Sequence, residues 1–135
     1  DLADRIHFDE SRQPPPNPSI MGYCTLRMPV TNAWIGLYFI RKDEEQGLRL
    51  TFNRGELGDI FYNQLLAEKE VIDQELPIGT EWQSEDGKHS IWLKRQLPGS
   101  LNESNKEDAF SWFQKNANMF VNAFRPRLAR YKREL

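Results

Sequence analysis

Five cations stand within nine residues near the C-terminal end of the chain: Arg125, Arg127, Arg130, Lys132 and Arg133, with Glu134 the acid beside them. Guanidinium and ammonium groups at that density neutralise phosphate, and Lys94 and Arg95 are candidates to extend the patch. An ordinary role competes with this one, because cations also stabilise the C-terminus of a helix and line solvated faces. The whole chain carries 18 Lys+Arg against 20 Asp+Glu, a net charge of −2. That balance argues against a general polyanion binder. The nucleic-acid expectation is therefore confined to Lys94, Arg95, Arg125, Arg127, Arg130, Lys132 and Arg133. Trp34, Trp82, Trp92 and Trp112 could stack on bases, although aromatics at helix and strand periods usually fill cores or interfaces. Trp92 is singled out as a surface candidate because it shares a strand face with Lys94 and Gln96.

Catalytic patterns are weaker. A metal hydrolase needs converging His, Cys, Asp or Glu, and the only histidines are His7 and His89. The single Cys24 excludes an intrachain disulfide and a multi-thiolate metal site. In its apolar strand it reads as a small core residue rather than a nucleophile. Asp86-Gly87-Lys88 has the letters of an acid-x-Lys nuclease pair, but Asp-Gly is itself a tight-turn signal. Asp43, Glu44 and Glu45 read as a solvated loop. No catalytic residue, metal site or cofactor is expected, and the chain reads as a binding module rather than an enzyme.

These residues need a scaffold, and hydrophobic periodicity predicts one. Ser19 to Arg27 alternates as a strand. Trp34 to Arg41 is apolar at both parities, Ile35, Leu37 and Phe39 against Trp34, Gly36, Tyr38 and Ile40, which predicts a central strand covered on both sides. Lys42 to Gly47 reads as a loop, and Leu48, Leu50 and Phe52 as the inner face of a third strand. Leu57, Phe61, Leu65 and Ile72 form a helical stripe near 56–73 with Glu68 at its border. Glu81 to Ser84 and Ser90 to Gln96 flank the Asp-Gly turn as a hairpin. Phe110, Phe113, Ala117, Phe120 and Phe124 mark a long helix near 105–133, which Pro126 should kink or break.

The chain is 135 residues long, enough for one domain with its own core. Residues 1–18, with Pro14, Pro15, Pro16 and Pro18, read as a Pro-rich tail or linker, and residues 19–135 as a single α+β domain. No run of about 18 apolar residues suggests a membrane helix. With no secretory pattern, a cytoplasmic setting is expected. A chain that begins at Asp1 rather than Met suggests a piece of something longer.

The order of segments resembles a known family. Trp34-Ile35-Gly36-Leu37-Tyr38-Phe39-Ile40 is followed by Leu48-Arg49-Leu50-Thr51-Phe52. The helix from Ile60 to Leu76 follows, with Phe61 and Leu65 four residues apart and Lys69-Glu70-Val71-Ile72-Asp73 after them. Next come Thr80-Glu81-Trp82, the strand Ile91 to Arg95, and the helix Trp112 to Leu128 with Phe124-Arg125-Pro126. Over about residues 32–128 this resembles the bacterial domain-of-unknown-function family 4268. The resemblance implies a domain placed at the C-terminal end of longer proteins, often beside a nuclease-like segment, and carries over no catalytic residues. Members usually have an aromatic helix before the first strand, where this chain has its Pro-rich segment.

The expected fold is α+β: an antiparallel sheet of about five strands with two main helices packed on one face. The expected function is a non-catalytic accessory module, binding nucleic acid or a protein partner for an upstream nuclease-like domain. The alternatives are a small metal-dependent nuclease and a structural domain that self-associates as a homodimer.

Overall fold

The computed structural model describes residues 5–18 and 24–135. The N-terminal half of the expected strand Ser19 to Arg27 lies outside them. The strands are β1 (Asn17–Pro18), β2 (Cys24–Arg27), β3 (Ala33–Ile40), β4 (Glu45–Phe52), β5 (Glu81–Glu85) and β6 (Lys88–Gln96). They form one antiparallel sheet in the order β1-β2-β3-β4-β6-β5. Five strands are of ordinary length, and β1 adds a two-residue edge. The helices are α1 (Glu56–Ala67), α2 (Lys69–Glu75) and α3 (Lys106–Arg133). The α+β architecture is the expected one, and no described helix is long and apolar enough to cross a membrane.

Alternation decides what each strand buries. Ile35 and Leu37 of β3, Leu48 and Leu50 of β4, and Ile91 and Leu93 of β6 point to one side and are buried. On them pack Phe61 and Leu65 of α1, Ile72 of α2, and Phe113, Phe120, Phe124 and Leu128 of α3. The Asp86–Gly87 turn has positive φ at both residues, 53° and 77°, the two-residue geometry that matches strand twist. Hence β5 runs one residue further than expected and β6 starts two residues earlier.

Four expectations need correction. The central strand is not covered on both sides: Trp34, Gly36, Tyr38 and Ile40 lie on a face that no described helix covers, and Ile40 is exposed. The acidic loop is shorter than read, because β4 begins at Glu45 and pairs Glu45 with Ile40 and Gln96. The first long helix is two helices, breaking at Glu68. Pro126 does not break α3, which runs unbroken for 28 residues. Phe120, Val121, Phe124, Leu128 and Tyr131, all buried, hold both sides of the proline against the core. Burial of that many large side chains outweighs the roughly 3 kcal/mol that an interior proline costs.

Residues 5–18 run beside α3. His7 donates its backbone N–H to Gln114 at 2.8 Å, Asp9 donates to Asn118 at 2.9 Å, and Arg5 pairs with Glu107. Ile6 is buried, and Pro18 pairs with Cys24.

Candidate functional site

The cations singled out in the sequence fall into separate groups. Lys94 and Arg95 are neighbours on β6 and therefore point to opposite faces. Arg95 goes to the helix side. Its Nε donates to the buried Gln46 at 2.8 Å, its guanidinium pairs with Asp108 at 2.9 Å, and it lies over Trp112. Asp108 is in the first turn of α3 and the Arg125–Arg133 group in its last turns. The rise of about 1.5 Å per residue separates Asp108 from Arg130 by about 33 Å.

Within that last group, α3 splits the charges between two flanks, because successive residues turn by about 100°. Arg127 and Arg130 face the break between α1 and α2. Arg127 is bidentate to Glu75, with both N–H···O distances 2.8 Å, and it also donates to the Ala123 carbonyl. Glu68 accepts from Arg127, Arg130 and the Tyr131 hydroxyl. The Tyr131 hydroxyl, followed by Arg130 and Arg127, holds the Glu68 carboxyl below the usual range. The Arg127 hydrogen bonds do the same for Glu75. Burial, with Glu68 beside it, pushes Tyr131 up. Glu68 stands where α1 ends, so these bonds tie the helix break to α3. With Arg95, three of the seven expected phosphate contacts are thus engaged in ion pairs with Asp108, Glu68 and Glu75.

On the other flank, Arg125 donates to Gln13 at 2.9 Å and to the Arg27 carbonyl at 3.1 Å. Lys132 reaches the Pro29 carbonyl at 3.2 Å, and Arg133 is exposed.

Trp92 and Lys94 lie on the uncovered face of the sheet. The strand register sets out that face in rows. Arg27, Trp34, Thr51, Ser90 and Gln83 make one row. Thr25, Gly36, Arg49, Trp92 and Glu81 make the next, and Tyr38, Gly47 and Lys94 a third. Trp34, Tyr38 and Trp92 are half-buried and Arg49 is exposed among them. Lys94 Nζ sits 4.9 Å from the centre of the Trp92 ring. Among the described residues, Arg49 enters no ion pair.

Two glycines shape this face. A Cβ on Gly36 would meet nothing within 4 Å, so a hollow opens there between Trp34 and Tyr38, with Arg49 beside it; its volume is about 360 Å³. Tyr38 lies flat over Gly47, where a Cβ would strike its ring. The Tyr38 hydroxyl donates to Glu45 at 2.9 Å, and Glu45 lies 3.7 Å from Lys94. Burial and then Glu45 push the Tyr38 hydroxyl up to about 12. Glu45 is thus a fixed part of this face rather than a solvated loop acid. A second hollow of about 480 Å³ shares Arg49 and Thr51 and adds Arg54, Lys88, Glu85 and Asp86. The sequence reading found Trp92 and missed Trp34, Tyr38 and Arg49 as surface residues. The available signal was parity, since Trp34 and Tyr38 share the phase opposite to Ile35 and Leu37.

A second arrangement was not foreseen. The Ser84 hydroxyl lies 2.8 Å from His89 Nδ1, and His89 Nε2 lies 2.6 Å from Asp59. The pairing of Ser84 with His89 across the hairpin brings the first two together. Asp59 is set by the start of α1, where a Cβ on Gly58 would strike the Asn53 carbonyl. His89 is buried and stacked on Tyr62, ring centres 4.4 Å apart. The three have the order of a hydrolase triad, but the hollow that His89 lines is not lined by Ser84. Their geometry clamps the hairpin to α1. Among the described residues no three His, Cys, Asp or Glu side chains are grouped to hold a metal ion.

Comparison with known proteins gives one family. The profile described as "Domain of unknown function (DUF4268)" matches residues 10–128. No curated protein matches the chain. Among solved structures, "Crystal Structure of the ExsC-ExsE Complex" contains a chain similar to this one. The identity is 15% and the TM-score 0.33, over 76% of this chain and 80% of that one. A likeness at that level carries no argument about function.

Proposed function

The chain belongs to the DUF4268 family, whose description assigns no activity, and on that premise we propose a function from the site itself: a non-catalytic module that binds single-stranded nucleic acid on the uncovered face of its sheet. One observation carries this reading. Trp34, Tyr38 and Trp92 stand on a single open face around Arg49, with the Lys94 ammonium over the Trp92 ring. Aromatic faces stack on bases of any sequence, and cations between them meet the phosphates. The module serves an upstream nuclease-like domain in the cytoplasm by holding a strand. Arg27 extends the face toward Arg125, which donates to the Arg27 carbonyl.

The test is a titration with an oligothymidine, read by quenching of tryptophan fluorescence at two salt concentrations. Stacking is worth about 1–3 kcal/mol per base, so Trp34→Ala and Trp92→Ala should each weaken binding by about 5- to 150-fold. Arg49→Ala should lower the salt slope by about 0.7, one phosphate contact on a single strand. The reading fails if the unaltered protein binds no strand at low salt, or if the Trp34→Ala, Trp92→Ala double variant binds as tightly as the parent. It also fails if light scattering shows a dimer that Gly36→Arg dissociates, since the face would then be occupied by a second copy.

A further inference from the structure

The cations on the outer flank of α3 converge on a cavity distinct from the open sheet face. Arg125, Ala129 and Arg133 are spaced four apart and so lie one above another on the helix. The small Ala129 leaves room between the two guanidinium groups. Arg12 reaches the same space from residues 5–18, and Pro29 and Pro126 close its sides around a volume of about 390 Å³. That volume falls within the range of small-molecule sites. Among the described residues, neither Arg12 nor Arg133 enters an ion pair. Glu10 is the acid lining the cavity, and its carboxylate accepts the Arg12 backbone N–H at 3.3 Å. Three guanidinium groups thus face one carboxylate that is already turned toward the backbone. Arg12 and Arg125 are close enough to feel each other's charge. Burial holds Arg125 below the usual arginine range; Glu10 opposes it, and Arg12 adds a smaller push in the same direction as burial.

Like charges gathered this way are compensated by an anion with several oxygens. We propose that Arg12, Arg125 and Arg133 form a binding site for a phosphate monoester. Arg125 is the fixed member, held by Gln13 and the Arg27 carbonyl. Arg12 and Arg133, both exposed, close on the anion from either side. A phosphate monoester carries close to two charges and three terminal oxygens, and guanidinium groups pair with such oxygens two at a time. The ligand is either the terminal phosphate of a nucleic-acid strand or a free phosphate-bearing metabolite. The site does not depend on the sheet-face reading.

The experiment titrates inorganic phosphate into the protein, with sodium chloride at matched ionic strength as the control. Amide and arginine side-chain resonances report binding by NMR. The expected result is a saturable shift that chloride does not reproduce, weakened at least about tenfold in Arg12→Gln, Arg133→Gln. Both residues are exposed, so the variant should unfold at the parent temperature. Trp34→Ala, Trp92→Ala should leave the phosphate titration unchanged, which separates this site from the sheet face. A second arm compares an oligothymidine with and without a 5′-phosphate. Tighter binding of the phosphorylated strand, lost in the arginine variant, assigns the site to strand ends. Equal binding of the two strands, with the phosphate shift intact, assigns it to a free metabolite. No saturable shift in the parent protein, or the same affinity in the arginine variant, overturns the proposal.

Discussion

Replacing Arg127 by Ala should destabilise the protein and leave strand binding intact, the reverse of what its place in a basic run suggests. The side chain is 14% exposed and bidentate to Glu75, with a further bond to the Ala123 carbonyl. Removing one partner of a fully buried pair costs about 3–5 kcal/mol, and an exposed pair is worth about 0–1. Glu75 is 42% exposed and can regain water, so the loss should fall near 2 kcal/mol. For a domain of this size, about 4 °C accompanies each kcal/mol, which puts the fall in Tm near 8 °C. The sign of the pH dependence follows from the carboxylates. Arg127 lowers Glu75, and Tyr131, Arg130 and Arg127 lower Glu68. A depressed folded-state pKa adds stability above the unfolded value, and that stability is lost as pH falls through the folded value. The gap between parent and variant should therefore be full at neutral pH and close as pH drops below the ordinary glutamate range. Thermal unfolding by circular dichroism across that range measures it. A variant within about 2 °C of the parent at neutral pH, or a gap unchanged at about pH 3, would refute the reasoning. A loss of strand binding without a loss of stability would refute it from the other side.

Gly36→Val should fill the hollow between Trp34 and Tyr38 and abolish strand binding. Denaturant unfolding should show stability within about 1 kcal/mol of the parent, since a strand glycine is itself unfavourable and a Cβ there meets nothing. Phe124→Ala should cost about 3–5 kcal/mol, because the ring is fully buried against Phe120 and Trp82; a smaller fall in a urea melt would contradict the packing described. Asp59→Ala should cost about 1–3 kcal/mol by leaving His89 Nε2 without its partner, and faster amide exchange in Lys88–Gln96 should accompany it if the clamp holds the hairpin to α1.

How far the sequence could be read depended on whether the relevant partner was near in the chain. The Asp86–Gly87 turn was legible because two adjacent residues decide it. The stripe of Phe113, Phe120 and Phe124 was legible because helical period alone places them together. The break at Glu68 was not, because no glycine or proline marks it, and the groups that hold Glu68 are Arg127, Arg130 and Tyr131, some 59 to 63 positions away. Trp34 and Tyr38 read as core because an aromatic ring has the same apolar signature under a helix and on an open face. Arg95 read as surface, yet its partner Gln46 is fully buried and lies 49 residues off.

By itself the sequence determined the α+β class, the alternation that sorts each strand into two faces, and the apolar stripes of the helices, since those follow from periods of two and 3.6 residues. Only the tertiary structure decided which sheet face the helices cover. It also decided which of the clustered cations are neutralised by Glu68, Glu75 and Asp108 and which converge around the cavity beside Arg12. The physical reason is that coverage and charge pairing arise between elements distant in the chain, and no local pattern records them.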